Sequence, residues 1–346
     1  MALSKIFISM LDLIGLYDLT SVRSVPDVNL IAAHRLSSPE SKDFGGLSGV
    51  ASDDSGNLIS VADRKGYFIK STIKFDKNIL NIEDSNAGNI NFTESNEFDV
   101  EDIAYFKGDC FVTHEIINQI SLYKGCDFDS GSYIPVPAGV KDFHKLAGME
   151  SLGVNKEGKF FTIAEYDISD DPYLHKAFMW QYTSSGYDTI KKETPFYYKS
   201  SEGYGVSSMT FTDEGNLLVL ERKYQKNQEL EGTDKFLIFE TKVKFVPKES
   251  VDHIDSGSRL SGQEIIYIFN NNGKSTVADN YEAITTMKLS DGSTSILVLS
   301  DDNLLPIEQT ILLQFQVHES DLLLNTECAG SLAPEHTEMG YGMIQH

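Results

Sequence analysis

Tryptophan occurs once in this sequence and cysteine three times, and no apolar run approaches the roughly 20 residues that a membrane-spanning helix needs. No transmembrane segment is therefore expected. Positive charge is also short: 29 Lys and Arg stand against 52 Asp and Glu, a net charge of −23. With no basic stripe to offset it, this balance argues against nucleic acid as a partner. It argues equally against unaided binding of a polyanion, although a bound divalent cation would reverse that locally. The histidines are scattered and form no H-x-x-x-H pair, so a zinc site of that kind is not expected. Gly46-Leu47-Ser48-Gly49 is not a G-x-S-x-G elbow, and such an elbow needs a strand-to-helix turn that the pattern here lacks.

What the chain does have is a unit that returns five times. Its first copy runs from Gly46-Leu47-Ser48-Gly49 through Asp54-Ser55-Gly56-Asn57 to Ala62-Asp63-Arg64. Later copies run from Val100-Glu101 to His114-Glu115, from Met149-Glu150 to Ala164-Glu165, from Val206-Ser207 to Glu221-Arg222 and from Tyr281-Glu282 to Ser300-Asp301. Each is an apolar strand, a turn and a second apolar strand ending in an acid. After each pair there is room for two more strands, such as Gln119–Tyr123 and Tyr133–Val136. Four short strands per unit, repeating at roughly 40 to 50 residues, is the arithmetic of a β-propeller. We expect an all-β, single propeller of about five four-stranded blades, with six as the alternative. The long gap before the fifth copy reads as an insertion, Lys244 to Gln263, in the fourth blade. The fifth unit supplies only three strands, ending in Thr310–Phe315, and an early strand near Ile31 would supply its fourth. That would join the ends of the ring and remove its exposed edges.

This geometry makes a site. The first strand of each blade lines the channel, and the second returns antiparallel, so the end of one lies beside the start of the other. The starts carry Ser48, Glu101, Glu150, Ser207 and Glu282, and the ends carry Asp63, Glu115, Glu165, Glu221 and Asp301. Carboxylates converging on one mouth repel and raise one another's pKa, so the ring needs a cation, shared protons or solvent. Ca²⁺, which takes six to eight oxygen ligands, suits it. The metal-ligand candidates are Glu101, Glu150, Glu282 and Asp301, with Asp63 and Asn303 next. Glu165 or Glu221 would be a general base, and Arg64 and Arg222 would clamp a phosphate or carboxylate. An acid beside an arginine at a strand end is also what a structural salt bridge between blades looks like.

Residues 1–27 read as an N-terminal extension or a degenerate signal segment, 28–318 as the propeller and 319–346 as a tail. Cys110 and Cys126 would face each other across a hairpin turning near Ile117-Asn118, either as a cross-strand disulfide or as two small buried thiols. A disulfide would imply an oxidising compartment. We expect a monomer.

In their order, Phe44–Gly49, Ala62–Gly66, Gly148–Leu152, Leu220–Lys223, Asp279–Ala283 and Ser300–Pro306 resemble the motifs of the phytase-like family, described as having the esterase-like activity of phytase. The resemblance covers about Phe44 to Val317. It implies a propeller, often secreted by bacteria, that hydrolyses phosphate or other esters, and so favours a secreted or periplasmic protein with a small-molecule ester substrate. In place of the family's Arg-rich stretch this chain has Lys223–Asn227. The functional expectation is a metal-assisted ester hydrolase. The alternatives are a Ca²⁺-dependent lactonase-like propeller and a non-catalytic binding propeller whose acids are structural.

Overall fold

In the computed structural model each copy of the repeat folds as an antiparallel meander. Residues 9–12, 21–38, 44–63, 66–91, 99–144, 148–166, 173–226, 237–269, 279–302 and 309–330 are described. Three strands precede the first blade: β1 (Ser9–Asp12), β2 (Val22–Ser24) and β3 (Val28–Ser37). The first blade is β4 (Leu47–Ser52), β5 (Leu58–Ala62), β6 (Tyr67–Asp76) and β7 (Ile79–Asn89). The second is β8 (Val100–Phe106), β9 (Asp109–His114), β10 (Gln119–Tyr123) and β11 (Ser132–Ile134). The third is β12 (Gly153–Val154), β13 (Lys159–Ile163), β14 (Leu174–Tyr182) and β15 (Ile190–Lys199). The fourth is β16 (Gly205–Phe211), β17 (Leu217–Lys226), β18 (Leu237–Val246) and, after α1 (Lys248–Asp252) and β19 (Arg259–Leu260), β20 (Gln263–Phe269). The fifth is β21 (Asn280–Lys288), β22 (Thr294–Asp301) and β23 (Ile311–Val317). There are five blades, not six.

The ring closes as the sequence suggested. β3 pairs antiparallel with β23, from Ile311↔Arg35 to Val317↔Val28, and so becomes the fourth strand of the fifth blade. The stretch before residue 28 also joins the sheets: β1 pairs with β3, and β2 with β20 of the fourth blade. The insertion in the fourth blade sends β19 to pair in parallel with β15 of the third. After β23, α2 (Glu319–Gly330) begins with a buried carboxylate. Glu319 accepts from Thr212 Oγ1 and Asn216 Nδ2 (both 2.6 Å) and from Thr294 Oγ1 (2.5 Å), fixing the helix start to two blades. No helix among the described residues is long and apolar enough to cross a membrane.

The core lies between the blades. Alternating strands bury one face against each neighbouring sheet, and the buried side chains fall into five clusters, one per interface. Phe111, Phe160 and Trp180 fill the one between blades two and three. The inner hairpins turn by a shared device. Asp53 Oδ1 accepts from the backbone of Ser55 and Asn57, both at 2.8 Å, and Gly56 takes φ +77°. Asn155 with Gly158 (φ +74°) repeats it in the third blade. Such side-chain acceptors stand in for a backbone turn, and glycine adopts the left-handed conformation without a Cβ clash.

Cys110 and Cys126 form a disulfide. It is not the cross-strand pair that simple register predicts, because Cys110 lies opposite Tyr123. Cys126 closes a 3₁₀ turn, Lys124–Cys126, that folds back over the strand end. Closing a loop of 16 residues restricts the unfolded chain by about 3 kcal/mol in the loop-entropy account. Cys126→Ser should lower the urea midpoint accordingly, and reductant should then change nothing further. A variant as stable as the oxidised wild type would contradict the bond's stabilising role.

Candidate functional site

Four of the five inner strands carry a register shift near their mouth end. It falls between Leu47 and Gly49, Val100 and Ile103, Val206 and Ser208, and Tyr281 and Ala283. An extra residue inserted in one strand re-aims its side chain. The inserted positions hold Ser48, Glu101-Asp102, Ser207 and Glu282. In the third blade, Glu150 and Ser151 occupy the corresponding place ahead of β12. Ser151 there accepts from Ile163 N (3.1 Å) and donates to Ile163 O (2.9 Å).

At the centre of the mouth stands Arg222, from the fourth blade. Its Nη2 donates to Glu165 Oε1 (3.0 Å) and Glu150 Oε2 (3.4 Å), both from the third blade. Its Nη1 donates to Glu282 Oε1 and to Asn280 Oδ1 (3.0 Å), from the fifth. Asn280 Nδ2 in turn donates to Glu282 at 2.6 Å. The Arg222 side chain is only 12% exposed. Burial works against the charge, yet the three glutamates hold the guanidinium protonated well above the ordinary arginine range. Arg222 is thus a counter-ion joining three blades, and its fork is taken up by protein acceptors. The phosphate clamp expected of it would have to share Nη1 and Nη2 with these protein acceptors.

The carboxylates fall into two groups. Glu115, Glu150 and Glu165 place one oxygen each within 4.8 Å of one another, beside Arg222. Asp63, Asp99 and Glu101 do the same on the side of the first and second blades. Glu115 is buried and accepts from Gly148 N at 3.0 Å. Burial, with Asp99 and Glu165 nearby, raises its pKa to about 7 against the pull of Gly148 and Arg222. Glu150 is raised well above the carboxylate range by burial and by Glu165, although Arg222 opposes this. Burial also raises Glu165, which hydrogen-bonds with Glu150. Glu101 is raised by burial and then by Glu150, Asp63, Glu282 and Asp99. Every influence on Glu101 points the same way.

The remaining expected residues are placed as follows. Glu221 is fully buried and turned away from the mouth, accepting from Tyr198 Oη (2.8 Å) and Ser201 N (3.1 Å). Side chains alternate along a strand, so with Arg222 facing the mouth its neighbour cannot. Asp301 is buried opposite Asn280 at the end of β22 and belongs to neither group of three. Arg64 and Asn303 lie outside the described residues. Sequence reasoning missed Asp99 and Asn280. Asp99 sits two residues before Glu101, so strand alternation alone puts both on one face. It also passed over Asp102. This residue is almost wholly buried below the mouth and ties three blades together, accepting from Ile103 N (2.9 Å), Leu152 N (3.0 Å) and Ser208 Oγ (3.1 Å). Burial lifts its pKa to about 8 against those donors. Beyond it, at the opposite end of the ring, the inner turns surround a cavity of about 500 Å³ lined by Asp53, Lys107, Lys156, Asp213 and Lys288 among others. That cavity contains none of the grouped carboxylates.

The family described as "Phytase-like: Esterase-like activity of phytase" matches residues 42–304. The chain belongs to the phytase-like family. Curated proteins give no match to this phytase-like chain. Solved structures similar to it include a gluconolactonase from Xanthomonas campestris, at 7% identity over 82% of this chain and 78% of that one, with a TM-score of 0.41. The glutaminyl cyclase of Myxococcus xanthus is 6% identical over 84% of this chain and 97% of its own, with a TM-score of 0.43. Virginiamycin B lyase from Staphylococcus aureus is 10% identical over 79% and 70%, with a TM-score of 0.35. Nothing of their chemistry transfers to this chain at such distances.

Proposed function

We propose that the protein is a metal-assisted hydrolase of a phosphate or other ester, working at the acidic mouth. One observation carries the reading: seven carboxyl groups meet there, six of them in two groups of three whose oxygens lie within 4.8 Å of one another. Asp63, Asp99 and Glu101 would hold the cation. All three offer hard oxygen ligands within 4.8 Å of one another and all are partly exposed, which fits Ca²⁺. When bound, the ion would polarise an ester oxygen and lower the pKa of water. Glu150 and Glu282, expected as metal ligands, are instead engaged by Arg222.

The chain's own acids supply the proton transfers. Glu115, raised to about 7, takes the proton of the attacking water. Glu150 remains protonated and gives its proton to the leaving oxygen, and Glu165, hydrogen-bonded to it, holds that proton in place. Environments that push neighbouring acids to different pKa values separate base from acid in this way. Glu115 then returns its proton to Glu150 within the same group, which restores the starting state.

The test is thermal unfolding with and without Ca²⁺. Binding to the folded state alone adds about 2.7 kcal/mol at a hundred times Kd, so the midpoint should rise in wild type and stay put in Glu101→Gln. Hydrolysis of phenyl phosphate or phenyl acetate should stop with chelator and return with Ca²⁺. No shift and no turnover in wild type would leave a binding propeller with structural acids. Turnover of small lactones alone would favour the lactonase.

A further inference from the structure

The mouth has an aromatic side. Tyr166 directly follows Glu165 and is only partly buried. Its ring lies over the start of the fourth blade, where a Cβ on Gly205 would come within 2.7 Å of Tyr166 Cζ and 3.0 Å of Glu165 Cγ. Gly205 is not among the residues with positive φ. It is glycine for room, and the room is filled by Tyr166 and Glu165. Tyr224 stands on the same strand face as Arg222, two residues further out, or about 7 Å along β17. It is 53% exposed, among the most exposed large hydrophobic side chains described. The hydroxyl of Tyr166 stays protonated: burial raises its pKa to about 12, helped by Glu165 and opposed by Arg222, with Tyr224 also close enough to contribute.

We infer that Tyr166, whose ring lies 6.4 Å from that of His175, and Tyr224 on the neighbouring blade form a stacking platform that selects substrates carrying a neutral ring, aryl or pyranose, next to the ester. This deepens the hydrolase reading and rests on it for the ester. The mouth's excess of acids disfavours substrates with several negative charges. A tyrosine face attracts an aryl ring or the C–H face of a pyranose, since both present weakly positive hydrogens to its negative π-face. A ring seated there would bring its ester bond beside Glu165 and Glu150, whose charges act on Tyr166. Tyr166 is on this account a specificity residue.

Neutral amides serve as stable stand-ins for esters. Binding of acetanilide, methyl N-acetylglucosaminide and N-methylacetamide to the Ca²⁺-supplemented protein would be measured by ligand-observed NMR titration. At least one ring-bearing amide should bind about five- to tenfold tighter than N-methylacetamide, and which of the two does so identifies aryl or pyranose. The preference should survive Tyr166→Phe, which keeps the ring. It should vanish in Tyr166→Leu, weaken in Tyr224→Ala and weaken in Gly205→Ala, which displaces the ring. Tyr224→Ala removes an exposed side chain and guards against a folding failure at Tyr166. Equal binding of all three amides to wild type, or a ring preference unchanged in both Tyr166→Leu and Tyr224→Ala, overturns the platform. Because this readout is binding, it is separate from the hydrolase reading, which fails when wild type turns over no ester.

Discussion

Arg222→Leu should destabilise the fold by about 3–5 kcal/mol near neutral pH, the usual effect of removing one partner from a buried ionic cluster. The loss comes from what is left behind. Glu150, Glu165 and Glu282 lose their common cation, and Asn280 loses its donor. The acids can then relieve their repulsion only by binding protons or a metal ion. Acid folded-state pKa values would move further up, so the folded variant would hold more protons than its unfolded chain. Its stability therefore rises as pH falls, and the deficit against wild type should be smaller at pH 5.5 than at pH 7.5. Ca²⁺ should recover part of the loss by occupying the vacated side. Arg222→Lys should fall between, because an ammonium restores charge without the planar fork that meets three acids at once. Urea unfolding at the two pH values reads all of this. A deficit that does not change with pH would show that Arg222 acts through packing.

Wild type without added cation should become less stable as pH rises from about 5 to 8. Asp102 moves from an ordinary 3.8 to about 8 in the folded state, and Glu115 from 4.5 to about 7. Each group holds a proton in the native protein over a range where the unfolded chain has released it. The stability this confers is full below the unfolded pKa and is lost as pH climbs through the folded one. Each excess proton steepens the fall by about 1.4 kcal/mol per pH unit. Asp102→Asn should make the slope shallower by the share of that residue, since an amide does not titrate. Where the wild-type side chain is ionised it should also lower stability, because its NH₂ would confront Leu152 N and Ser208 Oγ, which donate to the carboxylate. Denaturant melts from pH 5 to pH 8 decide it. A flat profile in wild type would mean that Asp102 is ionised throughout.

The repeat, the inner hairpins and the closing strand near Ile31 were legible because period-two patterning and turn residues are local signals. So was the convergence of Glu101, Glu115, Glu150, Glu165 and Glu282 at one end, which antiparallel pairing dictates. What was not legible depends on the phase of single residues. Glu221 and Arg222 are adjacent, and only one can face the mouth. The bulge between Val206 and Ser208 shifts the register there, and no composition rule reveals it. Arg222 reads equally as a substrate clamp or a counter-ion until its acceptors are known. Cys126 misled for a related reason: the 3₁₀ turn takes it off the ladder that fixes Cys110 opposite Tyr123. Tyr166 carries no motif, and only the close approach of Gly205 marks its place.

The pairing of β3 with β23 also governs how the molecule is made. A strand synthesised early waits for one synthesised near the end, so the fifth blade has only its fourth strand while the other four blades can already form. Once made, β23 of one chain meets β3 of any chain, its own or another's. The two pairings have the same contacts and differ only in effective concentration. Dilute refolding closes rings, whereas crowded refolding favours exchange of β3 between molecules, by the logic of domain swapping. The clasp that removes an exposed edge from the finished propeller is thus the place where an unfinished one is most open to oligomerisation.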